Sequence, residues 1–147
     1  MIKTFLPIVI LFCFAGITSA QLASKWNITD TKGKNLKIEM GKVNDINVPV
    51  YILDSKSGDL NIELYYMGTP DFSTKRFLQI MPADAEESNH LLDLTQANER
   101  SMSTSISTAK IQEITRSKSM GTIYKVQEVI EGGGKVDMKI IFHFKLK

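Results

Sequence analysis

The chain has 147 residues, 18 Lys+Arg against 16 Asp+Glu and a formal net charge of +2. Its length suits one domain. So even a balance argues against a nucleic-acid partner, which needs a clustered basic excess, and against a surface that steers charged ligands. One cysteine and two histidines leave no disulfide framework and too few ligands for a zinc site.

The first twenty residues carry an address. Lys3 supplies a positive charge, Phe5 to Phe14 form an apolar run, and Thr18-Ser19-Ala20 end it with small residues. This layout predicts a secretory signal peptide, residues 1–20, cut after Ala20. A spanning helix takes roughly 20 apolar residues, and the stretch from Thr4 to Ala20 includes Pro7, Gly16, Thr18 and Ser19. Cys13 lies behind bulky Leu11 and Phe12, which weighs against a lipid-modified N-terminus. Cleavage leaves residues 21–147 as a single β-rich domain with no cysteine and no transmembrane segment. The expected location is the periplasm, the cell envelope or the extracellular space. Asn27-Ile28-Thr29 matches the N-glycosylation pattern, which matters in a eukaryotic source.

From Trp26 onward the dominant period is two. Leu36, Ile38 and Met40 share one parity, followed by Val48, Val50 and Ile52, then Leu60, Ile62, Leu64 and Tyr66. Each run reads as a half-buried strand. Turn residues separate them: Gly33, Asn44-Asp45, Ser57-Gly58-Asp59 and Gly68-Thr69-Pro70-Asp71. The Ser55–Asp59 segment joins the third and fourth elements at hairpin distance. Lys75 to Met81 forms a further strand with apolar residues on both parities, the mark of cover on both faces.

The middle is ambiguous. Pro82 followed by Asp84, Glu86 and Glu87 reads as a helix start, or as a short helix before a strand at His90–Leu94. Ser101–Thr108 reads as a wet strand or a loop, and Lys110–Ser117 fits either period. Near the C-terminus, Val136, Met138, Ile140, Phe142, Phe144 and Leu146 share one parity, with Ile141 the apolar exception on the other. Thr122–Glu131 and Lys135–Leu146 therefore predict a long antiparallel hairpin around Gly132-Gly133-Gly134.

Catalytic, cofactor and metal motifs are lacking. His143 lies on the charged parity of the last strand, and His90 has no second histidine nearby. The acids at 84, 86 and 87 lack the turn glycine of a calcium loop. No Gly-x-Ser-x-Gly elbow occurs, and the glycine triplet joins strand to strand, unlike a phosphate cradle. The candidate contact residues are aromatic: Trp26, Tyr65 and Tyr66, with the two tyrosines aimed to opposite faces.

Trp26 is similar to the first-strand tryptophan of lipocalin-like barrels, with Ser24-Lys25-Trp26 standing where those carry Gly-x-Trp. That resemblance implies a carrier of a small apolar ligand. The fold expected is mainly β, a single antiparallel β-sandwich or β-barrel with at most one short helix. The leading functional expectation is an exported, non-enzymatic binding module for a protein, glycan or other surface partner. A carrier of an apolar small molecule comes second, and a hydrolase with a site assembled from scattered residues comes third.

Overall fold

The computed structural model describes residues 22–54, 59–68, 70–86, 88–131 and 138–147. The predicted leader, the Ser55–Gly58 connection, Glu87, the glycine triplet and Val136 lie outside the described residues.

The described chain is mainly β, with one short helix. A small sheet holds β1 (Lys25–Asp30), β4 (Leu60–Tyr65), β8 (Ser101–Ile106) and β7 (Thr95–Asn98), in that spatial order. A large sheet runs β2 (Lys37–Val43), β3 (Ile46–Leu53), β10 (Met138–Leu146), β9 (Tyr124–Ile130), β5 (Arg76–Pro82) and β6 (Leu91–Asp93). The two sheets are not closed into a barrel. That removes the barrel alternative, and with it the architecture that the Trp26 resemblance implies.

Alternation builds the shared core. Leu60, Ile62 and Leu64 of β4 point inward, as do Leu78 and Ile80 of β5 and Tyr124 and Val126 of β9. Phe142 and Phe144 join them, with Phe144 stacked on Tyr124 at 5.2 Å between ring centroids. Truncating a fully buried leucine such as Leu60 to alanine costs about 2–5 kcal/mol. The β2–β3 hairpin turns on Asn44 and Asp45, at φ of +51° and +64°. Asn and Asp tolerate this left-handed conformation, and a two-residue turn of this kind matches the strand twist.

The structure departs from the sequence reading in four places. First, the β9–β10 hairpin forms antiparallel as expected, but its register shifts between Ile140 and Phe142. This bulge inserts Ile141 and reverses which parity faces the core. Phe142 and Phe144 stay inside, whereas Ile140 is 44% exposed. Lys139 takes the inward parity beside Glu128.

Second, β3 and β4 form no hairpin. β3 pairs with β2 and, in parallel, with β10, while β4 crosses to the other sheet and pairs with β1 and β8. Both strands have a core-facing side, so placing them in opposite sheets buries both against one interior. The antiparallel expectation thus fails at one pair, β3–β10.

Third, no helix starts at Pro82. That proline ends β5, paired with Tyr124, and the Ala83 amide donates to the Ile123 carbonyl at 2.9 Å. Fourth, the helix comes later, as α1 (Thr108–Thr115). Ser107 caps it, its Oγ accepting the Lys110 amide at 3.1 Å. Asp59 Oδ1 accepts the Thr108 amide at 2.9 Å, which holds the first turn from the neighbouring loop. Ile111 and Ile114, three residues apart, lie on one helical face and pack into the core. Among the described residues, no helix is long and apolar enough to cross a membrane.

Candidate functional site

The inward side of the small sheet is apolar, so its odd-numbered residues form the opposite, outer face. Strand register arranges them in rows. Lys25, Tyr65 and Ser101 make the first row, and Asn27, Glu63 and Ser103 the second, continued by Thr95. Thr29, Asn61 and Ser105 make the third. The second and third rows line an open concavity of about 510 Å³.

Among the described residues lining that concavity, Glu63 is the only ionisable group. Both its oxygens are held. The Tyr65 hydroxyl donates to Oε1 at 2.7 Å, and the fully buried Ser101 hydroxyl donates to Oε2 at 3.1 Å. The bond to Glu63, then burial, pushes the Tyr65 hydroxyl above its ordinary pKa, so it stays protonated and donating. Lys25 sits over the Tyr65 ring, its Nζ 5.6 Å from the centroid. A carboxylate oxygen has about two acceptor positions. With one used on each, Glu63 keeps a free position on both oxygens. At the concavity's edge, Thr95 Oγ1 donates to the Ser103 carbonyl at 3.2 Å.

The three aromatic candidates do not gather. Tyr65 belongs to the outer face. Trp26 faces the other way from β1 and packs, half-buried, against the core. Tyr66 is buried, and its hydroxyl donates to Glu128. Burial first, then the neighbouring Glu128 charge, raises the Tyr66 hydroxyl's pKa.

Tyr66 belongs to a second constellation inside the molecule. Arg76 and Glu128 are both 0% exposed, and Arg76 Nη1 lies 3.2 Å from Glu128 Oε2. The Arg76 guanidinium lies 4.9 Å from the Tyr66 ring centroid and 5.8 Å from that of Phe72. Glu128 Oε1 accepts the Ala23 amide at 2.8 Å, while Lys139 Nζ donates to the Ala23 carbonyl at 2.7 Å. The start of the described chain is thus clamped from both sides of one residue. These groups are structural: none of Arg76, Glu128 and Tyr66 presents appreciable surface to a ligand.

The histidines lie elsewhere. His90 sits before β6, its amide donating to Ser88 Oγ at 3.0 Å and its carbonyl accepting the Ile80 amide at 3.0 Å. His143 pairs with Lys125 on the outer side of the large sheet, where burial and then the Lys125 charge lower its pKa. Among the described residues, no three His, Cys, Asp or Glu side chains converge as a metal site would require.

Sequence reasoning missed Glu63 and Ser101 as a pair. The available signal was the kind of polar residue alternating along three strands: Asn27-x-Thr29, Asn61-x-Glu63 and Ser101-x-Ser103-x-Ser105. The outward residues of β9 and β10 include Lys125, His143 and Lys145 instead. No protein-family model and no curated protein matches this chain.

Proposed function

We propose that the chain is exported after cleavage behind Ala20 and acts outside the cytosol as a small, non-enzymatic β-sandwich binding module. Its working surface in this reading is the outer face of the small sheet. The observation that carries it is the Glu63 carboxylate, immobilised by Tyr65 and Ser101 beside a polar concavity of about 510 Å³. The same bonds satisfy the buried Ser101 hydroxyl and preorganise the carboxylate, and preorganised acceptors lower the ordering cost of binding. Both histidines lie off this face, which favours recognition over hydrolysis. The open pair of sheets offers an apolar ligand no closed barrel to enter.

Cell fractionation with N-terminal sequencing, followed by hydrogen exchange, tests the reading. The expected result is an exported form beginning at Gln21. Adding material from its own compartment should slow exchange across β1, β4 and β8. Cytosolic retention with residues 1–20 intact, or protection confined to the large sheet, would refute it.

A further inference from the structure

We propose that this face binds a neutral carbohydrate chain, with Glu63 gripping a pair of adjacent sugar hydroxyls. The proposal rests on the binding-face reading above and names its ligand class. Around Glu63, the concavity is lined by Asn27, Thr29, Asn61, Thr95, Ser103 and Ser105 on the outer parity, with Thr104 and the buried Ile62 between them. The six outer-parity side chains are all amides or hydroxyls, able both to donate and to accept. Sugar hydroxyls have the same double character, so such a lining satisfies them without leaving orphans. A phosphate or carboxylate ligand would call for arginine or lysine in the concavity, and none lines it among the described residues. An apolar ligand would call for exposed aliphatic or aromatic walls, and the one aliphatic residue of the lining, Ile62, is only 1% exposed.

The carboxylate supplies the grip. Tyr65 and Ser101 approach one oxygen each and leave one acceptor position on each. Two neighbouring hydroxyls of one sugar ring can donate to both oxygens at once. Such charge-assisted bonds are roughly twice as strong as neutral ones. Tyr65 is committed to Glu63 on its hydroxyl and to Lys25 on its ring, so it acts as a positioning residue. The volume falls in the usual range for small-ligand sites, and the open form admits a chain running past the carboxylate.

The test uses the exported form, residues 21–147, titrated calorimetrically with dextran, laminarin, xylan and galactomannan, and with heparin as a polyanion. At least one neutral polysaccharide should bind, with little dependence on salt, and should slow exchange over residues 61–65. O-methylating that polysaccharide should abolish binding. Glu63→Gln should weaken it about tenfold with an unchanged melting temperature. Ser103→Tyr, which puts a ring into the concavity beside Glu63, should block it even where Glu63→Gln perturbs folding. Binding of heparin alone, no binding across the panel, or full affinity in Glu63→Gln would overturn the carbohydrate assignment. If that happens while compartment material still protects this face, the binding module stands and only its ligand class falls. If protection appears elsewhere, both fall.

Discussion

Tyr65, the last residue of β4, and Tyr66, the next in the chain, each donate a hydrogen bond to a glutamate, on opposite sides of one sheet. Tyr65 holds Glu63 at the surface, and Tyr66 holds Glu128 in the core. The chemistry is the same and the surroundings differ. Glu128 is sealed from water, so its charge must be matched completely by Arg76, Tyr66 and the Ala23 amide. Glu63 is only partly buried, so its remaining acceptor positions are stable as they stand and available to a ligand. A tyrosine–carboxylate pair is a fastening where it is dry and, in the function we propose, a recognition element where it is exposed.

The largest test breaks the dry pair. Glu128→Ala should cost about 3–5 kcal/mol, because it takes away the buried carboxylate that lies 3.2 Å from the buried Arg76 guanidinium. The double replacement Arg76→Met with Glu128→Leu should recover most of that loss in urea unfolding. If the double mutant is as unstable as Glu128→Ala alone, the ion pair is not the source. Next in size is Tyr66→Phe. It removes one donor from a buried carboxylate and should cost about 1–3 kcal/mol. Lys139→Met releases only the Ala23 carbonyl and should cost about 1 kcal/mol, with faster exchange near residues 23–25.

On the wet side, Tyr65→Phe should change stability by no more than about 0.5 kcal/mol. It should still weaken carbohydrate binding by loosening Glu63. A loss matching that of Tyr66→Phe would erase the distinction between the two pairs.

The smallest effect belongs to His143, a partly dry group on the large sheet. Its folded pKa lies below its unfolded one, so the unfolded chain takes up the proton first. Stability is therefore full above about pH 6.5 and falls as the pH drops through the histidine range. His143→Gln should flatten that fall in thermal melts at pH 7 and pH 5.5.

The strands were readable because a pleat shows its two faces in local order. Leu60-x-Ile62-x-Leu64 and Tyr124-x-Val126 announce an inward side whatever they pair with. Pro82 misled because acids after a proline suit a helix start locally, while strand pairing with β9 holds the backbone extended. The outer face was legible as polar, and Asn61 and Glu63 stood on that parity. Its rows were not legible, since they join residues 25–29, 61–65 and 101–105 through strand pairing alone.

The amino-acid order alone determined a mainly β body, a last pair of strands joined as a hairpin, and which side of most strands is apolar. Only the tertiary structure decided that β3 and β4 part into different sheets and that β3 runs parallel to β10. It also placed Ile141 in a bulge and brought Arg76, Glu128, Tyr66 and Ala23 together. The physical reason is range. Alternation is set by neighbours two residues apart. Strand partners, bulges and buried charge pairs are chosen by contacts between distant segments, where one inserted residue reverses which side faces in.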